Sequence, residues 1–232
     1  GFTVDFAMAK NPDSAGTWYQ FARLLGQKHL VSSATDAEST ANWATWDSNK
    51  GYGISFNNQN LSWMWKRHAG MDVVTWIGDG VSGSSIKHSL GKTPEMIWTK
   101  KRSGADSWHC YHKGLNGGTN PQDYVIYLHS TNMNQDQSGF WNDTAPTSVD
   151  FTIGNDSGIN ADGETYIAML FASVTGISKL GNYTGNGSTS GPTITTGFSP
   201  RFILIKWTSG SDHWFIFDTT RGIDNSGNDH WL

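Results

Sequence analysis

The sequence holds a single cysteine, Cys110, in 232 residues. One thiol excludes an internal disulfide framework. It leaves the compartment open, because an extracellular protein without disulfides has the same count. Charge is scarce as well: 16 % of residues are charged, against about 25 % in an ordinary soluble domain. Net charge is −4, and the densest basic run is Lys100-Lys101-Arg102. That argues against nucleic-acid binding through phosphate neutralisation. No apolar run is long enough to cross a bilayer, and no stretch reads as a signal peptide.

What is abundant is glycine, 27 residues, and tryptophan, 12 residues. Few charges with many rings and many Gly, Ser, Thr and Asn residues suit short strands joined by tight turns. The rings also permit a large core, since each buries ~150–250 Å².

One ten-residue shape occurs three times: Gly1 to Lys10, Gly91 to Lys100 and Gly197 to Lys206. Each copy reads Gly, any residue, Thr or Ser, Pro or Val, then a short strand ending in Lys. A tryptophan follows at a fixed distance, since 18 − 1 = 17, 108 − 91 = 17 and 214 − 197 = 17. The chain is therefore organised as repeats. In the opening strands Phe6 and Met8, Met96 and Trp98, and Phe202 and Leu204 share one large apolar face, the expected core face. Ala7 and Ala9, Ile97 and Thr99, and Ile203 and Ile205 form the other face, which should meet a different surface in each copy.

A polar turn and a second strand follow each time, from Trp18, Trp108 and Trp214, so each copy opens with a hairpin. The recurring tryptophans are expected in the core. Thr35 to Glu38 carries a weak helix-start signal. Leu61 to Trp65 and Ile167 to Phe171 read as matching buried strands, because 171 − 65 = 106 and 197 − 91 = 106. The first copy is shorter, and the extra length of the second is placed in the loop Asn132 to Val149. Val73 to Ile77 and Ile177 to Tyr183 read as further matching segments, each leading to a Gly-rich tip. The expectation is an all-β chain of repeated antiparallel β-sandwich units. Residues 71–174 form a complete unit, and 1–70 and 175–232 form partial ones. Both chain ends fall inside a repeat, as in a piece of a longer polypeptide.

Several stretches invite a chemical reading. Gly78-Asp79-Gly80-Val81-Ser82-Gly83 fits G-x-G-x-x-G, but no amphipathic helix follows, so it reads as a turn. His109-Cys110-Tyr111-His112 holds metal-ligand types, yet on a strand His109 points away from Cys110 and His112, and no three- or four-ligand set is evident. Asp156 to Glu164 resembles a calcium loop without the required Glu at its twelfth position, and reads as an Asx-rich turn. The candidate acids Asp5, Glu95 and Asp218 do not recur at all matched positions. No catalytic residue, metal ligand or cofactor is assigned, and the chain is expected not to be an enzyme. Trp43, Trp46 and Trp141 lie in polar loops, where a ring can stack on a sugar or contact a neighbouring chain.

Gly185-Asn186-Gly187, Gly191-Pro192, Gly197 to Phe202, Ile205-Lys206 and Trp214 to Gly222 together resemble repeats in tail-fibre-like virion proteins of marine tailed bacteriophages. Gly163 to Ala168 is similar to their closing strand. The match is looser in the first copy, where Val4 replaces Pro. The resemblance implies a virion structural or host-recognition role, in contact with other virion chains and as a homo-oligomer, and carries no catalytic or ligand residue with it. Host-surface glycan is the expected ligand. The competing reading is a secreted carbohydrate-binding or carbohydrate-cleaving protein. Binding is expected in loops that differ between copies. Phe140, Trp141, Asn142 and Asp143 are the first candidates, a ring beside amide and carboxylate groups. The alternative for Trp141 is a cap on the core or a subunit contact.

Overall fold

The computed structural model describes residues 1–13, 15–56 and 60–223. The fold is all-β, in antiparallel sheets with few helical turns. The first part comprises β1 (Phe6–Lys10), β2 (Tyr19–Ala22), β3 (Lys28–Val31), β4 (Ser39–Thr40), the short pair β5 (Ala44–Thr45) and β6 (Gly53–Ile54), and β7 (Leu61–Trp65). The second comprises β8 (Met71–Ile77), β9 (Ser84–Lys87), β10 (Met96–Lys101), β11 (Trp108–His112), β12 (Tyr124–Tyr127), β13 (Gln135–Asp136), β14 (Asp150–Ile153) and β15 (Thr165–Phe171). One-turn helices α1 (Ser138–Trp141) and α2 (Ser157–Asn160) interrupt it. The last part is the hairpin of β16 (Phe202–Lys206) and β17 (Trp214–Asp218).

Strand order is β4-β3-β2-β1-β7 in the first sheet and β13-β12-β11-β10-β15-β8 in the second. Among the described residues, no sheet mixes strands of the first and second parts. The three motif hairpins share one register: Phe6 opposes Ala22, Met96 opposes His112 and Phe202 opposes Asp218, so 22 − 6 = 112 − 96 = 218 − 202 = 16. The lysine that ends each motif has a common task. Lys10 donates to the Asn11 carbonyl, Lys100 to those of Lys101 and Gly104, and Lys206 to those of Thr131 and Asp212. The ammonium thus satisfies turn carbonyls that the ladders leave over.

Period-two alternation sends the two faces of each sheet to different places. Phe6, Met8 and Trp98 lie in one central cluster, with Met96, Phe202 and Leu204 packed against it. Trp108 is buried in the same cluster, and Trp18 and Trp214 pack on it. The three hairpins therefore share one core. The other faces diverge, as their residues vary. Ala9 joins Phe21 and Ala44 under the β5–β6 hairpin. Ile97 joins Val125, Phe140, Trp141, Phe151 and Ile153 under the β9–β14 ribbon. Each main sheet thus carries a small second layer, in the manner of a sandwich.

Contacts between neighbouring parts repeat. Trp108 Nε1 donates to the Val31 carbonyl at 2.8 Å, and Trp214 Nε1 to that of Tyr127 at 3.0 Å. Asp106 N–H meets Thr35 O at 2.8 Å, and Asp212 N–H meets Thr131 O at 3.0 Å. Glu38 N–H meets Arg102 O at 2.9 Å, and Asn134 N–H meets Thr208 O at 3.0 Å. Residues on the hairpin side are related by 214 − 108 = 212 − 106 = 208 − 102 = 106. Those on the third-strand side are related by 127 − 31 = 131 − 35 = 134 − 38 = 96. One head-to-tail interface is therefore used twice. Phe202 closes the arrangement by packing against Trp63 and Trp65 of the first sheet, with ring centroids 6.0 and 5.6 Å apart.

Two expectations fail locally. Thr35 to Glu38 forms no helix. Glu38 is drawn out by two cations instead, with Lys28 at 2.6 Å and Arg102 at 2.8 Å. Ile177 to Tyr183 forms no strand beyond a bridge between Val174 and Ser178. Its counterpart β8 takes its whole ladder from β15, and among the described residues 177–183 have no such partner.

Candidate functional site

The loop ring expected to meet a ligand is in the core. Phe140 is 4 % and Trp141 2 % exposed. The single turn of α1 folds both under β11 and β12. Phe140 stacks on His109 with centroids 4.3 Å apart, Trp141 stands edge-on to Tyr111, and its Nε1 donates to the Tyr124 carbonyl at 3.1 Å. A surface stacking role for these two rings is thereby corrected: with the indole N–H already matched, the loop gains more by burying them. Asn142 and Asp143 follow in the left-handed conformation, φ 51° and 48°. Asn142 Oδ1 accepts from the Ser82 hydroxyl at 2.7 Å, and Asp143 is exposed. The four residues do not form one surface.

Other stretches prove architectural. Gly80 and Gly83 take positive φ in the turn between β8 and β9. A Cβ on Gly78 would fall 2.1 Å from the Ala161 carbonyl oxygen, which is why the chain needs glycine there. Asp156 caps α2 by accepting from Gly158 N–H at 2.8 Å. Asn160 Nδ2 then donates to Asp79, Val81 and Gly154, tying the two loops together. Among the described residues no three His, Cys, Asp or Glu side chains converge. Cys110 is buried, which pushes its thiol pKa well above the ordinary value. The candidate acids sit in ion pairs. Asp5 faces Arg23 at 3.5 Å, Glu95 faces Lys113, and Asp218 faces Arg221 at 2.7 Å.

Two open clefts occupy the same place in the first two parts. The first, about 490 Å³, is lined by Thr17, Tyr19, Val31, Ser33, Asp36, Ser39 and others, with Trp43 and His29. The second, about 380 Å³, is lined by Ser107, His109, Tyr127, His129, Asn132 and Gln135, with Phe140 and Asp156. The positions correspond: 109 − 19 = 107 − 17 = 90, and 127 − 31 = 129 − 33 = 132 − 36 = 135 − 39 = 96. Each lies beside the repeated interface, between the ring that follows the recurring tryptophan and the loop after the third strand.

The chemistry of the clefts differs. In the first, half-buried Trp43 stacks on His29 at 4.9 Å and stands edge-on to Tyr19 at 5.2 Å. In the second, His109 stands edge-on to Tyr127 at 5.5 Å. Among the described residues, His29 Nδ1 and His109 Nδ1 are both buried without a hydrogen-bond partner. Burial lowers the pKa of each, that of His109 to about 4, so both rings are neutral at pH 7.

Of the loop rings singled out in the sequence, Trp43 lines the first cleft and Phe140, 4 % exposed, lines the second, while Trp46 and Trp141 line neither. Trp46 stacks on Tyr52 and donates to the Gly26 carbonyl at 2.7 Å. Tyr19 and Asp36 carry no binding motif. The signal available for them was the ring one residue after each recurring tryptophan, Tyr19 and His109, outward from the core and followed by a hydroxyl-rich loop.

No curated protein and no solved structure matches the chain. A family model described as a domain of unknown function, DUF7483, matches residues 1–232. By that match, which spans every unit of the repeat, the chain belongs to the DUF7483 family.

Proposed function

We propose that the chain is a structural segment of a phage virion appendage, tail-fibre-like, that presents host-recognition clefts and adheres to surface glycan without catalysis. The carrying observation is the pair of clefts at matching positions with different linings. A frame that repeats its hairpins, its core face and its interface while varying the cleft walls suits display of recognition surfaces. The resemblance of the third copy to tail-fibre-like repeats supports the virion setting. Its partners are other virion chains, including copies of itself, and the host-cell surface. In electron micrographs, an antiserum against the chain should decorate appendages of particles that encode it, and the purified protein should compete with particle adsorption. Recovery of the chain from culture medium with unlabelled particles would favour a secreted carbohydrate-binding protein instead.

A further inference from the structure

We propose that the Trp43 cleft of the first sheet is a monosaccharide-sized site for an uncharged hexopyranose, gripped by Trp43, Tyr19 and Asp36. The inference rests on the adhesive reading above and names its ligand and residues.

Four features of the cleft select this chemistry. Its volume, about 490 Å³, lies within the ~300–1,000 Å³ of small-ligand sites. Its lining contains no Lys or Arg, which disfavours phosphorylated, sulfated and acidic sugars. Its apolar wall is a half-buried indole held by its neighbours, Tyr19 edge-on at 5.2 Å, His29 stacked at 4.9 Å and Phe56 at 5.2 Å. A ring fixed in this way can take the C–H surface of a pyranose with little ordering cost. The remaining wall supplies the hydroxyls of Thr17, Ser33, Ser39 and Thr40 and the Asp36 carboxylate. Asp36 accepts no hydrogen bond from the described residues, so its oxygens remain available to two sugar hydroxyls. Lys100, whose charge acts on Asp36 electrostatically, donates hydrogen bonds from its ammonium to the carbonyls of Lys101 and Gly104.

The second cleft lacks this combination. Its rings are Phe140, 4 % exposed, Tyr127 and two histidines; Asn132 and Gln135 stand at the positions of Asp36 and Ser39, and its carboxylate, Asp156, is engaged as the cap of α2, accepting from Gly158 N–H. The first cleft is therefore the sugar site of the pair.

The test uses the 232-residue protein with methyl glycosides of glucose, galactose, mannose and N-acetylglucosamine. Saturation-transfer NMR reports contact, and titration of indole N–H resonances reports the place, with the Trp43 signal identified by its loss in Trp43→Phe. At least one glycoside should bind with a millimolar-range Kd and shift the Trp43 signal. Asp36→Asn should weaken it at least tenfold without changing the thermal midpoint. Trp43→Ala should abolish it, and Asp36→Asn keeps the test decisive if that variant fails to fold. Binding that leaves the Trp43 signal unmoved, or that survives Asp36→Asn, overturns the assignment. So does preference for tetramethylammonium, which would make the cleft a cation site. Failure of all four glycosides also overturns it. The adhesive reading would survive such a failure if the same protein still blocked particle adsorption, and would fall if the glycosides bound but adsorption were unaffected.

Discussion

The indole N–H of Trp108 donates to the carbonyl of Val31 at 2.8 Å, across the boundary between the two main sheets. Trp214 makes the same bond one repeat later, to Tyr127. The recurring tryptophan is thus a clamp between neighbours as well as a core residue. Trp108→Phe keeps an aromatic ring in the core but leaves a part-buried carbonyl without its donor. The expected cost is about 1–3 kcal/mol, read as a lower urea midpoint. An unchanged midpoint would mean that the repeated bond does not hold the sheets together.

The hairpins, their register and their core faces were legible because they depend on local periodicity and fixed spacing. Phe6, Met96 and Phe202 needed only alternation and the motif glycine. Their convergence on one core was not legible, since nothing local distinguishes a shared cluster from three separate ones. The loop rings were harder still. Trp43 and Trp141 both sit among polar residues, yet one lines a cleft and the other is 2 % exposed. The difference comes from Tyr111 and Tyr124, distant in sequence, which supply Trp141 with a ring contact and a carbonyl. Glu38 shows the same limit, because Arg102 reaches it from the second sheet.

Asn160 is 1 % exposed, with its amide donating to Asp79, Val81 and Gly154 and its Oδ1 accepting from Asp79 N–H at 3.0 Å. Asn160→Ala should cost about 2–4 kcal/mol, because several buried partners lose their match together. Addition of calcium or of a chelator should leave the thermal midpoint of the native protein where it is. A calcium-dependent rise would restore the metal reading of the Asp156 to Glu164 loop.

Acid should unfold the protein through its histidines. His109 and His112 titrate at about 4 in the fold, because burial disfavours their charged forms. In the unfolded chain they titrate near 6.5, so between pH 4 and 6.5 the unfolded state binds more protons and stability falls as pH falls. For His109, which is 3 % exposed, the difference corresponds to about 3 kcal/mol. Asp72 and Glu95 add to the loss at lower pH. Burial opposes their ionisation, but hydrogen bonds from Arg67 and Ser89, and from Lys113 and Ser173, outweigh it and hold both pKa values below the ordinary range. Urea midpoints of His109→Phe should vary less between pH 4 and 6.5 than those of the parent. Equal slopes would remove His109 from this account.

Trp141 separates core from recognition most sharply. Its ring fills the cluster with Phe140, Phe151 and Ile153, and its N–H is matched by the Tyr124 carbonyl. Trp141→Ala opens a cavity and leaves that carbonyl unmatched, so the expected loss is about 3–5 kcal/mol. Trp141→Phe should lose less, since it keeps most of the apolar surface. Neither change touches the Trp43 cleft, which lies on the first sheet. At a temperature where both variants remain folded, their attachment to host cells should equal that of the parent protein. Thermal melts and cell-binding assays on the same preparations decide the matter. Weakened attachment with an unchanged melting point would return Trp141 to the recognition surface.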